Sequence, residues 1–347
     1  MRAAVLHEVG GKFTIEELPD PKAGPGQVVV SIHSCSICNT DFHAHRGDWP
    51  LEFPQILGHQ VGGVVTELGE GVTKFSEGDR VVVNFALACY YCWYCQHGLF
   101  ELCENWRVLG LNYQGGMAER IAVPQTAVDK IPDSMTFDEA GLLSCGLGTA
   151  YRCFKDADVQ PGETVLILGG ILWGLTSIQL AHVAGAQVIV TDTDPRRLEQ
   201  ATRFGADHVI ADPYEELVDG VLPLTHGRGV DKVLEYSADP DLMGTALVAM
   251  RKGGRMAMVA QATMMNTMPV MLEKLIFAEC TLKGSFLARQ SDLVECIELY
   301  EAGKLDLAKL IDHRIALEDL DEGMRLMNDE TPTCVAVHPL GSAETDS

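Results

Sequence analysis

Four cysteines stand close together in CYYCWYCQHGLFELC: Cys89, Cys92, Cys95 and Cys103, a C-x2-C-x2-C-x7-C run. Thiolates at this spacing can wrap one Zn2+ tetrahedrally and leave no position open for a substrate, which marks a structural metal site rather than a catalytic one. Disulfides would be the rival in an exported chain. His97, inside the loop, reads as a surface residue because four sulfurs already complete the shell. Three further residues of metal-binding type lie far apart: Cys38 in CSICNTDFH, His59 in LGHQVGG and Cys145 in LLSCGLGTAY. Their spacing alone says little. A third chemical feature is the strand TVLILG running through GILWG into the helical LTSIQLAHVAG, where the start of a helix would face the pyrophosphate of a dinucleotide.

These groups need a scaffold, and the chain carries the pattern of one. With 347 residues, 47% of them hydrophobic, it exceeds what one core usually organises, so two domains are expected. The first third alternates short apolar strands (QVVVSIHS, VGGVVTELGEGV, GDRVVVNF) with Gly, Pro and Asp, the texture of an irregular mostly-β domain. From about Pro161 apolar strands alternate with helical stretches through QVIVTDTD, HVIAD, DKVLEYS, RMAMVAQ and TLKGSF. That pattern implies about six strands of a doubly wound parallel sheet. A helix around Asp292, the strand-like HRIAL, a helix near Leu317 to Asn328 and the apolar CVAVHPL follow, and this tail is expected to return to the first domain. The division expected is 1–146, 147–285 and 286–347, an α/β protein overall.

Asp and Glu number 49 against 26 Lys and Arg, a net charge of −23, so binding nucleic acid or an anionic membrane through general electrostatics is excluded. The partners expected are small molecules and further copies of the chain. No run of about 18 apolar residues occurs, and MRAAVLHEVGGKFTIEELPD breaks into charge too early for a signal peptide. A cytoplasmic protein is expected. Its 11 cysteines, an odd count, then point to metal or catalysis rather than to a disulfide framework.

With CNTDFH, GHQVGG, the cysteine quartet and the LGG strand-turn falling in this order, the sequence resembles the zinc-containing alcohol dehydrogenases of the medium-chain dehydrogenase/reductase family, from Met1 to about Leu340. The resemblance implies a GroES-like catalytic domain, a Rossmann domain and two zinc ions per subunit. Cys38, His59 and Cys145 would hold the catalytic zinc, with its fourth position left for water or a substrate oxygen. Asp41 would be the carboxylate that orients the His59 ring; a helix N-cap is the other reading of the same residue. Thr40 and His43 resemble the family's proton relay, with His45 an uncommitted neighbour. Cys35 makes a C-x-x-C with Cys38 and reads as a buried thiol rather than a redox partner. Cys153, Cys280, Cys296 and Cys334 read as packing residues. Trp49 and Phe85 stand where the family lines its substrate pocket, although a lone aromatic is usually core.

The cofactor turn departs from the pattern. The fingerprint G-x-G-x-x-G here reads Gly169, Gly170, Ile171, Leu172, Trp173, Gly174, with isoleucine at the middle glycine, where a β-branched side chain is expected to crowd the phosphates. Cys334 stands where the family commonly carries an arginine that reaches the pyrophosphate. The family's G-H-E becomes Gly58, His59, Gln60, removing a negative charge near the metal. Asp192 closes QVIVTD 23 positions after Gly169 and is placed to accept from the adenosine ribose, favouring NAD over NADP. Arg196 and Arg197 pull the other way, because a guanidinium welcomes a 2'-phosphate. Thr149 resembles the residue packed by the nicotinamide ring. The function expected is hydride transfer between a nicotinamide cofactor and an alcohol, aldehyde or ketone. Two alternatives stand beside it: an NADPH-dependent reductase of an activated alkene or imine, and a non-catalytic relative with impaired cofactor binding. A homodimer or homotetramer is expected, pairing through the sheet edge around RMAMVAQ and TLKGSF.

Overall fold

The computed structural model describes residues 1–211, 213–259 and 267–341. The chain divides into two compact units, Met1–Gly148 with Leu287–Ser347, and Thr149–Phe286.

The first unit is built on the long strand Gln27–Ser36, whose apolar residues Val28, Val30 and Ile32 are fully buried. It pairs antiparallel with Gln60–Leu68 along one edge and with Arg120–Pro124 and Val335–His338 along the other. Val335–His338 comes from the returning tail and carries His313–Ala316 beside it in parallel. The tail therefore completes the first unit's sheet rather than forming a layer of its own. Helix Phe137–Leu142 lies directly on this sheet, and Gly62 is the reason it can: a Cβ there would stand 2.4 Å from the Phe137 carbonyl oxygen. The helix begins with a reciprocal cap, in which Thr136 N–H donates to Glu139 Oε2 (2.9 Å) and Glu139 N–H to Thr136 Oγ1 (3.3 Å).

The second unit is a six-stranded, all-parallel sheet in the spatial order His208–Ile210, Gln187–Thr191, Thr164–Leu168, Val230–Glu235, Met250–Met258, Thr281–Gly284. The chain winds outward one way from Thr164–Leu168, then crosses to wind the other way from Val230–Glu235. This doubly wound order creates a switch point at the carboxyl end of Thr164–Leu168, where such sheets bind nucleotides. Central strands are buried on both faces, as Val165–Leu168 and Val188–Val190 show with no exposed surface at all. No helix among the described residues is long and apolar enough to cross a membrane.

Candidate metal centres and cofactor turn

Cys38 follows the strand Gln27–Ser36 and is the N-cap of helix Asn39–Arg46. Asp41, three residues on, turns its carboxylate back: Oδ2 accepts the Cys38 N–H at 2.8 Å and Oδ1 the Gly58 N–H at 3.0 Å. Oδ1 also lies 3.4 Å from His59 Nδ1. The N-cap is thus Cys38 and not Asp41, which is the N3 residue of a capping box and whose carboxylate also faces the imidazole. The third residue arrives by a different route. Between the helices Phe137–Leu142 and Gly148–Ala157 the chain makes one wide π-turn, Leu143–Leu147, entirely buried, and Cys145 sits at its centre.

The ligand atoms of Cys38, His59 and Cys145 all lie within 4.8 Å of one another, and the two sulfurs are 3.9 Å apart. A tetrahedral zinc with Zn–S bonds of about 2.3 Å spans roughly 3.8 Å between sulfurs, so the spacing fits that ion. The electrostatics fit as well. A hydrogen bond from Cys145 holds the Cys38 thiol well below its usual range in spite of burial, with the charge of His59 adding to the effect. Burial pushes His59 down, but Asp41 and Cys38 outweigh it and raise the imidazole to about 10. The charges of Asp41 and Cys38 thus favour a positive charge at His59, a place that a proton or a metal ion can fill.

The quartet converges too: the sulfurs of Cys89, Cys92, Cys95 and Cys103 lie within 4.8 Å of one another, Cys89 and Cys95 at 3.9 Å. Its loop folds into the single turns Trp93–Gln96 and Phe100–Leu102. Backbone amides serve the sulfurs, Cys89 N–H to Cys103 (3.2 Å), Cys92 N–H to Cys89 (3.4 Å) and Asn105 N–H to Cys103 (3.3 Å). Against desolvation, amides including that of Cys92 bring Cys89 down to about 6, whereas burial drives Cys95 up to about 12. His97 is occupied elsewhere, with Nδ1 2.7 Å from the Trp93 carbonyl and its ring stacked on Trp93.

In the second unit the turn after Thr164–Leu168 carries the altered fingerprint. Ile171 is the N-cap of helix Leu172–Val183 in ordinary extended backbone (φ −80°, ψ 179°), so the substitution costs no backbone strain. Gly174 cannot be larger, because a Cβ would come within 2.1 Å of the Gly169 carbonyl oxygen. The first turn of the helix, from Leu172 through Trp173, supplies the backbone amides that a helix start offers an anion. Asp192, almost fully buried, accepts from Gly170 N–H at 2.8 Å and from Asp194 N–H at 2.9 Å, with Arg197 Nη1 at 3.6 Å. Arg196 is held by Asp194, Nη2 to Oδ2 at 2.7 Å. Thr149 is buried in helix Gly148–Ala157.

Residues 24–133 match the model of the alcohol dehydrogenase GroES-like domain, and residues 173–302 that of the zinc-binding dehydrogenases. An alcohol dehydrogenase of Geobacillus stearothermophilus is 31% identical over 88% of this chain and 90% of its own length. An NAD-dependent alcohol dehydrogenase of Sulfurisphaera tokodaii is 31% identical over 93% of this chain and 95% of its own. The solved structure of an alcohol dehydrogenase from Thermus sp. ATN1 superposes with a TM-score of 0.92 at 29% identity, covering 97% of this chain and 99% of that one. The chain belongs to the zinc-containing alcohol dehydrogenases of the medium-chain dehydrogenase/reductase family.

Like other members of this family it is an oxidoreductase that works with zinc and a nicotinamide cofactor, which sets aside the reading as a non-catalytic relative. Against the zinc dehydrogenase pattern, Gln60 is fully buried at the start of Gln60–Leu68, its Nε2 3.4 Å from the Ser36 carbonyl. Cys334 is also fully buried, and burial pushes its thiol up to about 12, so it offers a phosphate no charge. On the helix Asn39–Arg46, Thr40 and His43 are one turn apart on one face. Thr40 Oγ1 lies 3.8 Å from Cys38 Sγ, and His43 Nδ1 lies 2.8 Å from Asp48 Oδ2. His45 is committed elsewhere: Nε2 reaches the Gly11 carbonyl at 2.8 Å and the ring stacks on Phe13. The Phe85 ring lies 5.6 Å from that of His59, while Trp49 sits partly buried just beyond the end of the helix.

Three features escaped sequence reasoning. Ser144, beside Cys145, accepts the Phe85 N–H on its hydroxyl at 3.0 Å. Asp138 on the helix leading to Cys145 is gripped by two residues of the returning tail, Arg314 Nε at 2.7 Å and His338 Nε2 at 2.8 Å. Arg289, also from the tail, clasps Glu101 of the quartet loop with two nitrogens, Nε at 2.8 Å from Oε2. Each joins segments between 59 and 200 residues apart, and no local pattern announces such pairs.

Proposed function

We propose that this dehydrogenase oxidises a small alcohol to its aldehyde or ketone, or runs the reverse reduction, with NAD preferred over NADP. Cys38, His59 and Cys145 would hold the catalytic zinc, and the quartet Cys89, Cys92, Cys95 and Cys103 a second, structural one. The observation that carries this reading is the convergence of three buried ligand atoms from distant segments to within 4.8 Å, in a chain of this family. Bound in these places, zinc supplies Lewis acidity toward an alcohol or carbonyl oxygen, and the nicotinamide supplies the hydride acceptor or donor.

The chain's own residues do the rest. Asp41 orients the His59 ring through Nδ1, leaving Nε2 as the ligand atom. Thr40 holds a hydroxyl close to Cys38, where it can accept the substrate's proton while giving up its own, and His43, one turn on and beside Asp48, would be the base at the far end of that relay. Phe85 gives the apolar wall beside His59. In the second unit, each Asp192 oxygen accepts one backbone N–H and keeps lone-pair capacity for a ribose hydroxyl, which supports the preference for NAD. Self-association through the edge strand Thr281–Gly284 is supported by the apolar surface of the neighbouring helix Leu272–Phe277, where Phe277 is 76% exposed.

The test is a titration of the purified chain with NADH and with NADPH, followed by nicotinamide fluorescence, alongside zinc analysis by mass spectrometry. Saturable NADH binding, a weak NADPH response and two zinc ions per chain are expected. Equal binding of the two nucleotides would sink the role given to Asp192, and a single zinc would sink the assignment of two sites.

A further inference from the structure

Ser144 is fully buried, and nothing in the proton or hydride path uses it. Its position is peculiar. It lies in the π-turn Leu143–Leu147, whose wide loop is closed by the Gly148 N–H reaching back to the Leu143 carbonyl. A π-turn accommodates an extra residue without ending the helix, so two adjacent residues can both face inward toward different neighbours. Here Cys145 faces Cys38, with the sulfurs 3.9 Å apart, and Ser144 faces the segment that follows strand Arg80–Val83. That segment needs an acceptor. The Phe85 N–H lies beyond the strand's end, and the Ser144 hydroxyl takes it at 3.0 Å.

The other side of Phe85 completes the connection: its ring lies 5.6 Å from the ring of His59. One hydroxyl is therefore tied to the backbone that carries Cys145 and to the backbone that carries the aromatic wall against His59. The neighbouring Asn84 is fixed independently, its N–H on the Ala127 carbonyl at 2.7 Å and its Oδ1 accepting from Ala86 N–H at 3.1 Å. Phe85 itself has the Ser144 link as its own backbone donor contact, while its carbonyl receives Leu109 N–H at 3.1 Å.

We infer that Ser144 is a positioning residue of the catalytic centre: its hydroxyl locks the Cys145 turn and the Phe85 wall in register, and so sets both the metal's ligand geometry and the width of the substrate slot. This rests on the assignment of Cys38, His59 and Cys145, and of Phe85 as the wall of the substrate slot, proposed above. A buried amide left without its acceptor moves to find another, and displacement of reacting groups by a fraction of an ångström is felt strongly in rate.

The test uses the full-length chain with Co2+ exchanged into the Cys38–His59–Cys145 site, comparing the parent with Ser144→Ala and with Ile121→Val, a core change in the same unit away from the centre. The readouts are the visible cobalt bands and the ratio of kcat/KM for ethanol and benzyl alcohol with NAD. Ser144→Ala is expected to shift the bands and change the ratio by about three- to tenfold, while Ile121→Val leaves both unchanged whatever its melting temperature. Unchanged bands and ratio in Ser144→Ala, or equal changes in both variants, would overturn the inference. If Ser144→Ala does not fold, Ser144→Thr decides: parental bands with the hydroxyl kept support the role, and shifted bands refute it. Cys145→Ala, run in parallel, separates the two levels, because persistence of the cobalt bands there would defeat the ligand assignment itself.

Discussion

The two groups of candidate metal ligands are built in opposite ways. The quartet comes from one short loop, has only single helical turns around it, and lies among exposed aromatics, with Tyr91 69% and Trp93 59% accessible. The group of Cys38, His59 and Cys145 comes from three segments, each anchored in the first unit's core, and every ligand is buried. A loop of single turns around a small apolar cluster would depend on a bound metal to fold, whereas a group held by a packed sheet and a capped helix keeps its geometry from the fold.

Paired substitutions put the largest load on that contrast. Cys145→Ala is expected to lower kcat/KM by roughly a thousandfold or more, the scale of losing the main electrostatic contribution to catalysis, with the melting temperature little changed. Cys95→Ala is expected to do the reverse in kind: the loop opens, residues around 89–103 become open to limited proteolysis, and the loss of activity follows unfolding instead of preceding it. If Cys145→Ala destabilised the chain as much as Cys95→Ala, the distinction would fail.

A smaller effect is expected where the core holds the helix that leads to Cys145. Asp138 accepts from Arg314 and His338, and although burial alone would raise its carboxyl, His338, Ser34 and Arg314 together hold it below the usual carboxylate range. A depressed folded-state value means that the stabilisation is present above the unfolded carboxylate range and is lost as pH falls through the folded value. Asp138→Asn should cost about 3 kcal/mol at neutral pH, with the difference from the parent shrinking as the buffer is taken into the acid range. Urea unfolding of both proteins across that range measures it, and a pH-independent difference would count against the charged clamp.

The smallest effect belongs to the link between loop and core. Arg289→Met removes the clasp on Glu101, whose carboxylate is nearly buried and would be left unpaired, and should cost about 2 kcal/mol. Faster zinc release from the quartet, followed with a chromogenic chelator, is expected while turnover with intact protein stays at the parental level. Unaltered release would show that the loop does not lean on the tail.

How much of this was legible beforehand follows the same division. The quartet stands out by its spacing, because its four cysteines are near neighbours in sequence. The six parallel strands follow from continuous apolar runs alternating with helical stretches. Cys38, His59 and Cys145 could not be derived from spacing; only family resemblance singled them out. Asp41 is not the N-cap, which is Cys38; as the N3 residue of helix Asn39–Arg46 its carboxylate reaches the Cys38 and Gly58 amides and lies 3.4 Å from His59 Nδ1. The crowding expected from Ile171 does not strain the backbone, since an N-cap residue takes extended geometry open to any side chain.

Local matters are set by the sequence: which loop brings four cysteines together, where strands and helices run, which turn leads into helix Leu172–Val183, and that the chain is acidic. Tertiary structure alone decided which distant groups meet: Cys145 with Cys38 across 107 residues, Ser144 with Phe85, Asp138 with His338, and Arg289 with Glu101. The physical reason is one of range. Spacing and periodicity express forces between near neighbours along the chain, while these pairs depend on how a helix can settle on Gly62 and how a returning strand finds the edge of Gln27–Ser36, which packing of the whole unit determines.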